Sequence, residues 1–373
     1  MNIRNVWKSK VMAWVLVIAM LLSMMPSMAS KVEAAVPHPH NGTTFTPGVG
    51  QGVLRSGSYY LVHDEKVVQP SSGIVISGSA VTVNICLNGH TLDLNGTQIY
   101  LNAGATLNIY DCSDGGGKIT GGEGKVHGDS NTKTKGGAIY VEGSTLNIYG
   151  GTIEGNSAGW GGAIFIDGSL GVSTVNMYDG TICGNTAESG GGGIEVENGT
   201  GPTYGSYFHM YGGSIVNNTV TNPDSNLHKG GGVHVVSNTI MTIQSMNNKA
   251  INISGNTVAG KMDNVYLREG STIGVGEIAE GSRIGVSAQQ VNSTTPTLIT
   301  SGYGSNISND SIKYFYMDGL HSSSTYALIH NGTELQIQSQ KHTWKYAKGD
   351  GDNQIRAYWG QTMNVRSKMV PMH

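Results

Sequence analysis

Glu142, Asp167 and Glu197 recur at matching places in three copies of one repeat, and Glu195 stands two residues before the last of them. Stacked one above another, neighbouring carboxylates about 5 Å apart would repel by roughly 0.8 kcal/mol at the dielectric of water, and by more in shelter. Something has to relieve that: splayed side chains, a raised pKa or a bound cation. Clustered carboxylates with carbonyls suit a weak Ca²⁺ site. Paired acids a few ångströms apart suit glycoside cleavage. The plainer outcome is three solvated acids pointing apart on an open surface. Tyr140, Phe165, Glu195 and His234 form a parallel series two residues before the acids. A further series is Tyr110, Tyr149, Tyr178 and Tyr211, with Asn108, Asn147, Asn176 and His209 beside it. A flat ring with a polar edge can stack on a sugar. Identical aromatics on neighbouring strands also hold a sheet together, by about 0.2–1 kcal/mol per pair. The regularity of the tyrosines favours that structural role.

These series exist because residues 136–260 say the same thing four times. Copies begin at Gly136, Gly161, Gly191 and Gly230, which are 25, 30 and 39 residues apart. Each holds three short apolar-alternating runs, GGAIYV, TLNIY and TIEGN in the first. Alternation points Ile139, Val141, Leu146 and Ile148 one way and Tyr140, Glu142, Asn147 and Tyr149 the other. A unit this short cannot bury its own apolar face and must stack on its neighbours. Turn residues at coil spacing predict a parallel β-helix, three strands per coil, with rungs about 4.8 Å apart. An antiparallel sandwich is the rival architecture, but it has no reason to repeat its corners. Gly137, Gly162 and Gly192 precede each first strand, where a sharp corner wants positive φ. Asn156, Asn185, Asn218 and Asn256 follow the third strands, where Asn tolerates the left-handed region and can bond along a stack of amides.

Glycine makes up 56 of 373 residues, about twice the usual share. Charged residues are only 13% and the net charge is −3, so nothing electrostatic argues for nucleic acid. Residues 1–34 read as a signal peptide: Arg4, Lys8 and Lys10 precede an apolar run over 11–25, with cleavage expected after Ala34 or Ala35. That run is short for a membrane span, so none is expected after cleavage. Residues 35–72 are expected to cap the first coil and hide its unpaired edge. The solenoid is expected over 73–340. Residues 341–373 read as the start of a further module or a tail. Three cysteines permit at most one internal disulfide. Cys86 and Cys112 lie about one coil apart, but Cys86 aligns best with Tyr110, two residues off; Cys183 is expected free.

The runs NICLNGHTLDLNG, ATLNIYDCSDGGGKITGG and GGAIYVEGSTLNIYGGTIEGNSA resemble pectin-lyase-like, right-handed parallel β-helix proteins, a secreted and cell-surface group common in Gram-positive bacteria. The likeness covers about residues 50–340. It implies the fold, and an exported or cell-surface address; that fold serves lyases, glycosidases, adhesins and spacers alike. GGAI at residues 136–139 and 161–164 is also similar to polymorphic outer-membrane adhesins. Their partner motif FxxN and their C-terminal barrel are missing, so the chain is not assigned to that group.

Lyase chemistry on this fold wants an Arg or Lys beside acidic metal ligands. The arginines lie outside the central coils, and neither Lys118 nor Lys135 falls on the acidic series. No metal-ligand spacing, nucleophile elbow or phosphate loop is present. The expectation is therefore a non-catalytic, adhesin-like or glycan-interaction module, meeting extracellular glycans or surface proteins and needing no cofactor beyond a weak Ca²⁺. Its candidate ligand residues are Tyr110, Tyr149, Tyr178, Tyr211, Glu142, Asp167, Glu195 and Glu197. The rival is a polysaccharide lyase or glycoside hydrolase built on those acids, in a groove walled by the insertions at 198–206 and 221–229.

Overall fold

Leu107 and Ile109, Leu146 and Ile148, and Val175 and Met177 are the alternate residues of three strands, and all six are buried. None of these strands can cover its own apolar face. Each pairs in parallel with its equivalent one coil on, placing Leu107 beside Leu146 and Leu146 beside Val175. In the computed structural model this rule runs through the chain. The structure describes residues 46–47, 49 and 52–339, apart from 69–72, 114, 125–133, 199–204, 223–228, 290, 292–294, 304–308 and 319–324, together with six residues of short strands between 345 and 363. All of them lie in the unit Thr43–His373. The expected signal peptide lies outside the described residues.

The second strands of successive coils form a ten-stranded sheet from Thr46–Pro47 to Thr300–Ser301, in chain order. First strands stack likewise, Ile139–Glu142 on Ile164–Asp167 and that on Ile194–Glu197. Third strands follow suit, Thr152–Glu154 on Thr181–Cys183. The result is a parallel β-helix around one apolar core. Stacking begins earlier than the composition indicated. Gly52–Leu54 pairs with Ile74–Ser77, and Gly57–Tyr60 with Thr82–Cys86, so a coil precedes Gly73. At the other end Tyr326–His330 and Leu335–Ser339 form an antiparallel hairpin, and Leu335 and Ile337 join the core. Cys86 and Cys112 are joined as a disulfide although Cys86 does pair with Tyr110; Cys183 is free.

The central coils carry a fourth strand that alternation did not reveal. Ser157–Trp160, Thr186–Gly190, Thr219–Val220 and Thr257–Val258 pair in parallel in a separate sheet, which Lys261–Met262 ends as an antiparallel strand. It has its own small core of Ala187, Val220 and Val258. From this sheet the chain doubles back into the next first strand. Gly161 makes that corner at φ 63°, while Gly162 serves a different need. A Cβ on Gly162 would lie 2.2 Å from the Gly192 carbonyl oxygen of the next coil, closer than atoms can approach.

The asparagine stack forms as expected but without left-handed backbone. That conformation falls one residue earlier, at Gly155, Gly184, Asn217 and Gly255. Asn156, Asn185, Asn218 and Asn256 are all buried. Each donates from Nδ2 to the Oδ1 of the next at 2.9 Å, and Asn256 donates to Asn264. Asn264 donates to Asp318 at 2.7 Å, so a carboxylate ends the chain of amides. Burial pushes the Asp318 carboxyl up to about 7, against the bonds from Asn264. A folded pKa above the unfolded value of 3.8 means the folded protein holds a proton that the unfolded chain releases. The ionised group therefore costs stability above about pH 7, and the cost is relieved as pH falls towards about 4. Urea midpoints should show Asp318→Asn flattening this dependence, which has a maximum slope of about 1.4 kcal/mol per pH unit. Parallel profiles for both proteins would place the dependence elsewhere.

Candidate functional site

Tyr100, Tyr140, Phe165, Glu195, His234 and Tyr266 occupy one outward position of six consecutive first strands. Glu142, Asp167 and Glu197 occupy the next outward position. The alternation is as read from the sequence, but the surroundings are not. Glu142 is 9% exposed, Asp167 5% and Glu195 0%, so the expected open, solvated surface is corrected. Only Glu197 of the four acids is partly open.

Neighbouring phenols relieve the carboxylate repulsion. The Tyr100 hydroxyl donates to Glu142 Oε2. The Tyr140 hydroxyl lies 2.8 Å from Asp167 Oδ2 and 3.4 Å from Glu142 Oε1, bridging two rungs. Burial, the adjacent carboxylates and these bonds keep Tyr140 protonated, its pKa pushed well up. Lys135 Nζ stands 3.8 Å from Asp167 and 4.8 Å above the Phe165 ring. Lys135 does stand off the acidic series, but its side chain reaches across to it. Its neighbour lies on the next coil but 32 residues along the chain, a separation that a strand pattern does not register. Among the described residues no group of three or more His, Cys, Asp or Glu is placed to hold a metal ion. The hydroxyls and the lysine do what the cation was invoked to do.

Glu195 and His234 sit deeper. His234 Nδ1 is 2.8 Å from Glu195 Oε1, with both side chains sealed from solvent. Neither carboxylate oxygen nor imidazole nitrogen has an aligned hydrogen-bond partner, so the two groups meet closely but without a well-directed bond. Burial raises the pKa of Glu195, and His234 pulls it back. Gly190 makes room: a Cβ there would lie 2.8 Å from both Glu195 Oε2 and the Trp160 ring. The insertions at 198–206 and 221–229 that were to wall a groove lie mostly outside the described residues.

On the second strands the tyrosines stand in single file. Ring centroids of Tyr110, Tyr149, Tyr178 and Tyr211 are 4.8, 4.7 and 5.0 Å apart, with planes within 14° of parallel. Both faces of Tyr149 and Tyr178 are thus covered by their neighbours, leaving the ring edges and hydroxyls facing out. Burial pushes the Tyr110 hydroxyl up to about 12, with Tyr149 adding to it. Beside them Asn176 donates to Asn147, Asn147 to Asn108 and Asn108 to Asn84, each at 2.8 Å. The next member, His209, turns instead to Thr242 Oγ1 at 2.6 Å, and burial lowers its pKa.

The structure therefore brings the eight candidate residues into three columns: the four tyrosines on the second strands, and on the first strands Glu142, Asp167 and Glu197 in one file with Glu195 in the file beside it. The Glu195 file also holds Tyr100, His234 and Tyr266, and Lys135 reaches the acids from the side; none of these four was among the candidate site residues. Among the described residues no helix is long and apolar enough to cross a membrane.

A sequence model of the Chlamydia polymorphic membrane protein repeat matches residues 150–167. The matched stretch contains Ile153-Glu154-Gly155-Asn156 and Gly161-Gly162-Ala163-Ile164. The first has Ile where the FxxN motif has Phe, and its Asn156 lies in the buried amide stack. The match spans 18 residues, less than one coil, and marks what this segment is similar to. A search of curated proteins finds no match, and neither does a search of solved structures.

Proposed function

We propose that this chain is an exported, adhesin-like β-helix that holds a partner at the cell surface through its repeated outer columns, without cleaving it. The observation that carries the reading is the contrast between the acids and the tyrosine and asparagine columns. Of the acids that would have to perform cleavage, Glu142, Asp167 and Glu195 are sealed or engaged by phenols and a lysine, which leaves Glu197 alone partly open, whereas the tyrosine and asparagine columns lie half-exposed in register over several rungs. A general acid must touch its substrate, and a carboxylate with no solvent access cannot do so. The matched repeat supports a cell-envelope setting, and the basic, then apolar, residues 1–34 supply a route of export. The pectin-lyase-like likeness supports the carbohydrate class of partner.

Beads coated with the full chain should adhere to glycan-bearing surfaces, and a panel of polysaccharides incubated with it should release no oligosaccharides. Release of unsaturated or reducing ends, lost in Glu142→Gln or Asp167→Asn, would instead establish a cleaving enzyme.

A further inference from the structure

The pattern Thr-x-Asn-x-Tyr occurs at residues 106–110, 145–149 and 174–178. Main-chain pairing stacks the three copies without slippage, Thr on Thr and Asn on Asn, and the tyrosine rings stack in turn. The outcome is a grid of three columns by three rungs on one face of a sheet. All nine side chains are partly exposed.

Much of the hydrogen-bonding capacity of this grid is unspent. Asn108 and Asn147 each give one amide hydrogen to a neighbour and receive one on the oxygen. An amide has two hydrogens and two acceptor positions, so each keeps one of both. The three Thr hydroxyls and the Tyr149 and Tyr178 hydroxyls make no hydrogen bond within the described residues. Donors and acceptors therefore repeat at the rung spacing of about 4.8 Å, and six strands carry the face over about 24 Å.

The face also lacks charge. From Thr82–Cys86 through Ile240–Ile243 the outward positions include no Asp, Glu, Lys or Arg. The His209 there is held neutral by burial. Lys249 and Asp179, at its border, neutralise each other at 2.5 Å. A polyanion would find no cation to compensate its desolvation, and a polycation no anion. Hydroxyls of an uncharged sugar chain can meet the Thr, Asn and Tyr groups, and the sugar's C–H surfaces can lie on the phenol edges.

We propose that this grid binds a neutral, extended polysaccharide laid flat across the second-strand face. The inference rests on the binding reading above and supplies its ligand class and location. The two can fail separately.

The test is a pull-down of the full chain on insoluble neutral polysaccharides, microcrystalline cellulose and chitin, against immobilised pectate and heparin, at low and high salt. Retention on at least one neutral polymer, unchanged by salt, is expected, with no retention on the anionic ones. Thr145→Lys/Thr174→Lys sets two cations in the centre of the grid and should weaken retention at least tenfold. Thr181→Lys/Ser214→Lys adds the same charge on third strands and should leave it unchanged. Tyr149→Phe/Tyr178→Phe keeps the ring stack, removes only hydroxyls, and should weaken retention severalfold even if the lysine pair fails to fold. Retention insensitive to both grid variants would overturn the proposal. So would salt-sensitive binding to the anionic polymers, or a concentration-dependent dimer that Thr145→Lys/Thr174→Lys dissolves, since a second copy would then own the face. Cell adhesion without binding to any neutral polysaccharide would overturn the ligand class and leave the adhesin reading standing. Loss of both would end both.

Discussion

Asn185→Ala should destabilise the protein by about 3–5 kcal/mol, although it removes an uncharged side chain. Asn185 is 0% exposed and sits in the middle of the buried amide stack. Its Oδ1 accepts from the Asn156 backbone N–H at 3.0 Å and from Asn156 Nδ2 at 2.9 Å. Its Nδ2 lies within bonding distance of Asn218 Oδ1 and the Ile153 and Cys183 carbonyls. Alanine leaves these groups buried with no water to replace it, and each orphan costs about 1–3 kcal/mol. The control is Asn147→Ala on the open face, where Asn108 and Asn176 can turn to solvent and the loss should stay near 1 kcal/mol. Urea midpoints measure both. In a solenoid, coupling is mainly between neighbouring coils, so hydrogen exchange should quicken most at the Asn156 amide. Equal costs for the two alanines would refute the claim that burial, rather than stacking of amides as such, gives the inner column its weight.

The comparison of these two asparagine columns shows what the pattern of residues discloses. Period-two alternation placed Asn147 and Tyr149 outward, and the register follows from it because a one-residue slip would expose Leu146 and Ile148. Recurrence alone located the inner column too. It misjudged the reason for each corner: Gly161, not Gly162, has the positive φ, and Gly155 rather than Asn156. Two adjacent glycines look alike in a string of letters. They differ in φ and in which carbonyl a Cβ would meet, that of Ile164 in the same coil for Gly161 and that of Gly192 in the next coil for Gly162. The acid column was legible as a column and illegible as an environment. Its burial depends on what lies beside it, Trp160 and Lys135 included, and those residues come from a short fourth strand and from the end of a polar stretch that reads as loop. Coil length varies by insertion, so a residue's lateral neighbour has no fixed spacing in the chain.

The same lateral packing makes the Glu195 and His234 pair a sensitive point. His234→Phe should cost about 3–5 kcal/mol, because it leaves the buried Glu195 carboxyl without its polar partner. The ring itself is not the difficulty. The column already accepts Tyr100, Tyr140 and Phe165 below and Tyr266 above. Converting both members, Glu195→Leu with His234→Phe, removes the stranded charge and should restore most of the lost stability, to within about 1–2 kcal/mol of wild type. The four proteins form a double-mutant cycle whose coupling term should be large and favourable. Acid supplies an independent check. Burial raises the folded pKa of Glu195 above the ordinary value of 4.5, so the folded state takes up the proton first and stability lost to the bare carboxylate returns as pH falls. The deficit of His234→Phe should therefore shrink as pH falls towards about 4.5, while the double variant, which has no carboxylate at that position, shows no such recovery. A His234→Phe deficit that is constant with pH, or a double variant as unstable as the single, would mean that shape rather than charge joins these two residues.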